Sequence, residues 1–182
     1  DNGHEHDTPG KRSPVWKDGA QLLEYEFNRD IVNQVAKYLA AEGITYHILV
    51  PELEDISLVE RCKRANAFGR ESILISVHAN AGGGTGFEVF TTRGQTKSDP
   101  LATIMFEEAV KAFPDQRMRT DKTDGDPDKE SQFYILRNTV MPAMLTENFF
   151  MDTEEDCRLI MSTEGRKKIA RLHFEGIKRM LV

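Results

Sequence analysis

The sequence predicts a single α/β domain: a mostly parallel, twisted sheet with helices on both faces. Three observations carry that expectation. Short apolar runs of strand length alternate with stretches whose apolar residues recur at helical spacing. The chain has 182 residues, enough for one sizeable core and too few for two full ones. No internal repeat or low-complexity linker divides it, so residues 1–182 read as one domain.

The elements follow in order. Across residues 21–42, Leu22, Leu23, Phe27, Ile31, Val35 and Leu39 recur at helical spacing, and Gly43 offers a stop. "TYHILV" (45–50) has the length and composition of a strand. Ser57 and Glu60 make an S-x-x-E capping box that opens a helix running towards Gly69. "SILISV" (72–77) is the next strand and "GFEVFTT" (86–92) another, joined by the flexible turn "AGGGTG". Ser98 or Asp99 as N-cap, with Pro100 in the first turn, starts a helix through "SDPLATIMFEEAVKAF". Residues 114–132 are polar and read as a long exposed loop. "FYILR" (133–137) and "PAMLTEN" (142–148) read as strands. From Gly165 to Leu181, Ile169, Leu172, Ile177 and Leu181 share one helical face. Cys62 and Cys157 fall in helical-looking segments without CxxC spacing, compatible with two free thiols or one disulfide.

Composition is that of an ordinary soluble domain, 39% hydrophobic and 30% charged. A net charge of −6 argues against nucleic acid as the partner. No apolar run approaches the roughly 20 residues that span a bilayer. Several catalytic solutions are also absent. There is no G-x-S-x-G elbow, no H-E-x-x-H helix, and the glycine run at 82–86 lacks the G-K-[ST] of a phosphate loop.

In open α/β sheets, ligands collect beyond the carboxyl ends of the strands. His78 leaves the strand 72–77, and Glu147 leaves "PAMLT" (142–146) in the same way. His4 and His6 lie in a Gly/Pro-rich loop before the first helix, and Glu24 and Glu26 lie near that helix's start. Two imidazoles and a carboxylate, with a fourth position left to water, make a catalytic zinc site. A second carboxylate outside the metal shell can move the water's proton. Each residue also has an ordinary use: a strand-end histidine as a hydrogen-bonded rim group, a first-turn glutamate for the helix dipole. Glu147 says more, because ending an apolar strand on a carboxylate is costly unless the group is paired or functional.

At these residues the sequence resembles the zinc-dependent N-acetylmuramoyl-L-alanine amidases (amidase type 3). The matching motifs run in order over residues 1 to about 152: "DNGH", "EYEFN", "SLVERCKRAN", "SVHAN" followed by "GFEVF", and "ILRNTVMPAMLTENFF". The resemblance implies a phosphorylase/hydrolase-like amidase fold. It implies a zinc held by His4, Glu24 (rather than Glu26) and His78, with Glu147 as the catalytic carboxylate. It implies hydrolysis of the amide between the lactyl group of N-acetylmuramic acid and L-alanine of the peptidoglycan stem peptide. It places such a domain outside the cytoplasmic membrane of bacteria, or delivers it there by a phage-type lysis system. A monomer with no membrane span and no nucleic-acid partner goes with that reading. Within it, Arg137 pairs with a stem-peptide carboxylate or forms a structural salt bridge. Lys11 and Arg12 line the groove or belong to a solvated loop, and Asn80 follows His78 on the substrate side.

The sequence also departs from the family. "HEHD" replaces glycines after the first histidine and makes His6 a rival ligand. "ENFF" lacks the glycine expected two residues after Glu147. The family has a core strand ahead of its D-x-G-H loop, whereas this sequence opens at Asp1, so a neighbouring strand edge is expected to be exposed. Two other functions compete: a zinc carboxypeptidase acting on stem peptides, and a non-catalytic cell-wall binding module.

Overall fold

The computed structural model describes residues 1–182. Its elements run α1 (Glu24–Ala41), α2 (Leu58–Asn66), β1 (Leu74–Asn80), β2 (Phe87–Thr91), α3 (Asp99–Ala112), β3 (Lys129–Glu130), α4 (Tyr134–Arg137), β4 (Ala143–Phe150), α5 (Glu154–Met161) and α6 (Thr163–Met180). The strands lie in the order β1-β4-β2-β3. β1 pairs with β4 and β2 with β3 in parallel, whereas β2 and β4 are antiparallel, so the sheet is mixed. Only residues 81–86 join β1 to β2. A parallel return needs about a dozen or more, so β2 must run back.

Alternation along the strands feeds two cores. Val77, Ala79, Phe87, Val89 and Met144 join Phe27, Ile31, Ile169 and Leu172 beneath α1, α3 and α6. Leu74, Ala143 and Leu145 point the other way, to Cys62, Ala65, Ile135 and Leu136 of α2 and α4. Helices therefore cover both faces, as a sheet apolar on both sides requires. The helix signals act as read: Ser57 Oγ accepts from the Glu60 N–H at 3.3 Å, and Gly43 takes a φ of 69° just past α1. Both cysteines are free and buried. No helix is long and apolar enough to cross a membrane.

Four expectations are corrected. Residues 45–50 form no strand: an apolar groove of about 680 Å³, lined by Leu39, Tyr46, Phe68, Ile75 and Ile177 among others, touches both this segment and β1. The carbonyls of Leu49 and Val50 accept instead from the side chains of Arg64 and Asn2. "FYILR" is the helical turn α4: the consecutive Ile135 and Leu136 pack into the same core, whereas successive strand residues would point to opposite faces. β1 runs to Asn80 and β4 to Phe150, so His78 and Glu147 sit inside strands and not beyond their ends. The loop 114–132 contains the short β3, held beside β2.

β1 lies at one edge of the sheet. On its outer side the Asp1 α-amino group donates to Ile75 O (2.7 Å) and Val77 N donates to Asp1 O (2.9 Å). These two bonds bring the start of the chain against the strand that carries His78.

Candidate active site

His78 on β1 and Glu147 on β4 are register partners across the parallel pair. Beyond them the pairing steps to Asn80 and Phe150, two residues on β1 against three on β4, the signature of a bulge. The extra residue lets Phe149 adopt a left-handed backbone (φ 67°), which is unusual for a bulky side chain. Phe149 is the position where "ENFF" lacks the family glycine. It is fully buried, edge-on to Phe113 at 5.0 Å between centroids.

Three donors converge beside β1. One ligand atom each from His4, Glu24 and His78 lies within 4.8 Å of the others. Glu24, the first residue of α1, is fully buried, and its Oε1 meets His78 Nδ1 at 2.9 Å and His4 Nε2 at 3.4 Å. Its Oε2 faces Lys11 Nζ at 3.5 Å. His4 reaches inward from a left-handed backbone (φ 63°). Gly3 is required next to it, since a Cβ there would stand 2.9 Å from His78 Cε1 and 2.5 Å from Arg61 Nη1.

Neighbouring groups fix the imidazole of His78. Ser76 shares its side of the strand, two residues back. Its Oγ lies 3.0 Å from His78 Nε2 and donates to Asp1 Oδ2 at 2.6 Å. The ring turns Nε2 to Ser76, which can accept from it while donating to Asp1, and turns Nδ1 to Glu24 at 2.9 Å, so Nδ1 is the nitrogen that would meet a metal held by Glu24. The Asn148 amide holds the His78 carbonyl at 2.9 Å. Buried Arg61 of α2 bonds Asp55 at 2.7 Å and stands 3.8 Å from Asp1 Oδ1. Asn28, one turn after Glu24, lies 3.5 Å from His78 Nδ1.

The charges are poised by burial and by one another. Burial acts to raise the Glu24 carboxyl, but hydrogen bonds and charge from His4 and His78 overrule it and hold it below the usual carboxylate range. Burial pushes His4 down, which keeps a lone pair available on the ring at neutral pH. Glu147 is half-buried, yet its Oε2 is sealed and has no hydrogen-bond partner. Burial raises it to about 7, with Glu24 and Glu88 pushing the same way against His78 and Lys11.

Other candidates fall outside this cluster. His6 is exposed and binds Asp7 at 2.7 Å, and Glu26 pairs with Arg166 at 3.4 Å, so neither joins the three donors. Arg12 donates to the His6 carbonyl at 2.9 Å. The Asn80 amide is taken by Glu88. Arg137 is exposed, lies 5.7 Å from the Tyr134 ring centroid and forms no salt bridge, which removes the structural-pair alternative. Sequence reading missed Glu88, the register partner of Glu147, which gathers Arg119 (3.0 Å) and Lys129 (2.5 Å). Its signal was the polar position inside the otherwise apolar "GFEVF".

A family model described as N-acetylmuramoyl-L-alanine amidase matches residues 1–179. The N-acetylmuramoyl-L-alanine amidase CwlM of Bacillus licheniformis is 39% identical over 127 residues, covering 69% of this chain and 47% of that protein. A sporulation-specific N-acetylmuramoyl-L-alanine amidase of Bacillus subtilis is 30% identical over 185 residues, covering 98% of this chain and 66% of the relative. The chain thus spans less than two thirds of the length of either. Among solved structures, an N-acetylmuramoyl-L-alanine amidase from Clostridium difficile 630 superposes with a TM-score of 0.85 at 25% identity, over 99% of this chain and 93% of that one.

Proposed function

This chain belongs to the N-acetylmuramoyl-L-alanine amidase family, and on that premise we propose that it hydrolyses the amide joining the lactyl group of N-acetylmuramic acid to L-alanine of the peptidoglycan stem peptide. The supporting observation is the convergence of His4, Glu24 and His78 beside a strand partner, Glu147, that is kept close to neutrality.

The three donors fit zinc. Two imidazoles and a carboxylate are a zinc-type set. His4 Nε2 and Glu24 Oε2 are sealed from solvent and have only long polar contacts, to Glu24 Oε1 at 3.4 Å and to Lys11 Nζ at 3.5 Å, which leaves both atoms open to a cation. His4, Glu24 and His78 would hold the ion. When bound, zinc supplies a Lewis acid and lowers the pKa of water towards ~7.

The remaining work belongs to the chain. Glu147, as carboxylate, takes the proton of the attacking water at its oxygen. It then gives that proton to the departing L-alanine nitrogen as the carbon–nitrogen bond breaks. A group pushed up to about 7 suits both halves of this exchange at neutral pH. Ser76 and Asp1 keep the His78 ring from turning, and the strand pair fixes His78 relative to Glu147. Lys11, Arg12, Asn80 and Arg137 are assigned to the substrate rim. Residues 1–182 act as one catalytic unit, monomeric, outside the cytoplasmic membrane or delivered to the wall by a phage system.

The test is the mass of fragments released from purified sacculi by the zinc-loaded protein. Stem peptides with a free L-alanine amino terminus are expected. Release of terminal amino acids with the lactyl–alanine bond intact would mark a carboxypeptidase, and sedimentation with the wall without cleavage a binding module.

A further inference from the structure

We propose that Arg119, with Lys129 beside it, binds a carboxylate of the stem peptide, so that the protein selects stems carrying a free α-carboxylate on the residue after L-alanine. The inference rests on the amidase reading for its substrate. Its location rests on geometry outside the His4–Glu24–His78 cluster.

Four side chains stand in one row across the sheet. His78 on β1 pairs in register with Glu147 on β4, and Glu147 with Glu88 on β2. On the far side of β2, residues 117–119 run parallel to it. Phe87 N donates to Arg117 O at 3.0 Å, Arg119 N donates to Phe87 O at 2.9 Å, and Met118 is the bridge partner of Phe87. Arg119 therefore comes beside Glu88, and side chains that face each other in register share one face of the sheet. Met118 packs with Phe87 and Val89 into the core on the other face, as alternation requires.

The end of this row carries spare positive charge. Glu88 is buried, and its Oε1 accepts from the Asn80 amide. Its Oε2 accepts from Arg119 Nε at 3.0 Å and meets Lys129 Nζ at 2.5 Å, so one carboxylate serves two cations. The exposed Asp121 nearby forms an ion pair with neither. Only Nε of Arg119 is engaged. Its Nη1 and Nη2 hold no hydrogen bond, although three quarters of the side chain is covered (25% exposed). The guanidinium also lies over the Phe150 ring, 5.1 Å from the centroid. Held at Nε and on one face, with its terminal fork open, it is preorganised to take a carboxylate in two parallel hydrogen bonds.

The proton transfer sets the direction of the stem. Glu147 gives its proton to the L-alanine nitrogen, so that nitrogen leaves on the Glu147 side, while the metal-type donors lie on the β1 and α1 side. The stem then leads across β2 towards Glu88 and Arg119. One strand spacing, about 4.8 Å, separates Glu147 from Glu88, and the Arg119 fork stands one hydrogen bond beyond. In an extended stem, the α-carboxyl of the residue after L-alanine lies about 6 Å from the L-alanine nitrogen, which brings it to that fork. An amide there offers one acceptor oxygen and no charge.

The experiment compares two stem peptides that differ only in a free α-carboxylate or its amide on the second residue, and the muramoyl peptides made from each. Calorimetry on the zinc-loaded full chain reads peptide binding, and hydrolysis of the muramoyl peptides reads the reaction. The carboxylate form should bind about 10- to 100-fold more tightly, and the preference should lie in KM and not in kcat. Arg119→Gln should collapse the gap to about threefold or less, with zinc content unchanged. Arg119→Lys keeps Glu88 paired, guards against a misfolded variant, and should also narrow the gap because the fork is lost. Equal binding of the two peptides by the parent chain would overturn the proposal, as would a gap that Arg119→Gln leaves intact. An Arg119-dependent gap without any hydrolysis would support the subsite and remove the amidase reading instead.

Discussion

His78 and Glu147 face each other as register partners on adjacent parallel strands, so one pair of backbone ladders sets the spacing between a metal-type donor and the candidate proton carrier. A strand holds such a relationship more tightly than a loop, because neighbouring hydrogen bonds and packing lock both Cα positions. Glu147→Gln keeps shape and volume but removes the titrating proton. It should retain zinc and lower turnover of muramyl peptide by about 10²- to 10⁴-fold. Zinc content by atomic absorption beside single-turnover rates separates this from loss of the metal. Unchanged turnover would remove Glu147 from the chemistry.

Ser76 acts through His78. Replacing it with alanine leaves Nε2–H without its acceptor and Asp1 Oδ2 without its donor, and frees the ring to turn. Ser76→Ala should weaken zinc affinity by about 10- to 100-fold, measured by competition with a chromophoric chelator, beyond a general loss of stability of about 1–3 kcal/mol from the unpaired buried carboxylate. Equal affinities would mean that the Asp1–Ser76–His78 chain does not orient the ligand.

Phe149 sets two effects against each other. Its left-handed backbone costs about 1–3 kcal/mol, which glycine would relieve. Its fully buried ring, packed on Phe113, is worth about 3–5 kcal/mol by the usual cost of truncating a core aromatic. The ring wins. Phe149→Gly should therefore destabilise by roughly 1–3 kcal/mol in urea unfolding. A variant as stable as the parent would show that the bulge governs this position and the ring does not.

His173 on α6 gives the fold an acid sensitivity independent of any metal. It is buried between Thr146 Oγ1 (2.9 Å) and the Ile169 carbonyl (2.8 Å), and desolvation lowers it from 6.5 to about 4. The unfolded chain therefore binds a proton that the folded one refuses. Stability from this group is complete above pH 6.5 and is lost as pH falls towards about 4, by roughly 3 kcal/mol in all. His173→Gln should flatten that part of the stability-versus-pH curve. An unaltered slope would assign the acid sensitivity elsewhere.

The site was far more legible in the sequence than the sheet's connectivity. His78 and Glu147 stood out as polar residues at the ends of apolar strand runs, and Glu24 as an acid at a helix start. Ser76 and Asn28 were passed over, although strand alternation relates Ser76 to His78 and one helical turn relates Asn28 to Glu24. Asp1 and Arg61 lay within quoted motifs, but their contact with the His78 support spans distant chain segments and needs the fold. Residues 45–50 carry strand composition without a backbone neighbour to pair with, and pairing is not local. "FYILR" is too short an apolar run to tell a strand from a helical turn. The direction of β2 follows from a connection length, a signal that was present in the sequence. The left-handed backbone at Phe149 follows from the bulge, which no composition reveals.

X-ray absorption at the zinc edge of the loaded protein is the most direct check on the proposed site. A first shell of two imidazole nitrogens at about 2.0–2.1 Å, completed by oxygen alone, is the expected spectrum, and His78→Ala should remove the bound zinc. Sulfur in that shell, fewer than two imidazoles, or a full complement of zinc in His78→Ala would contradict the assignment of His4, Glu24 and His78 as one metal centre.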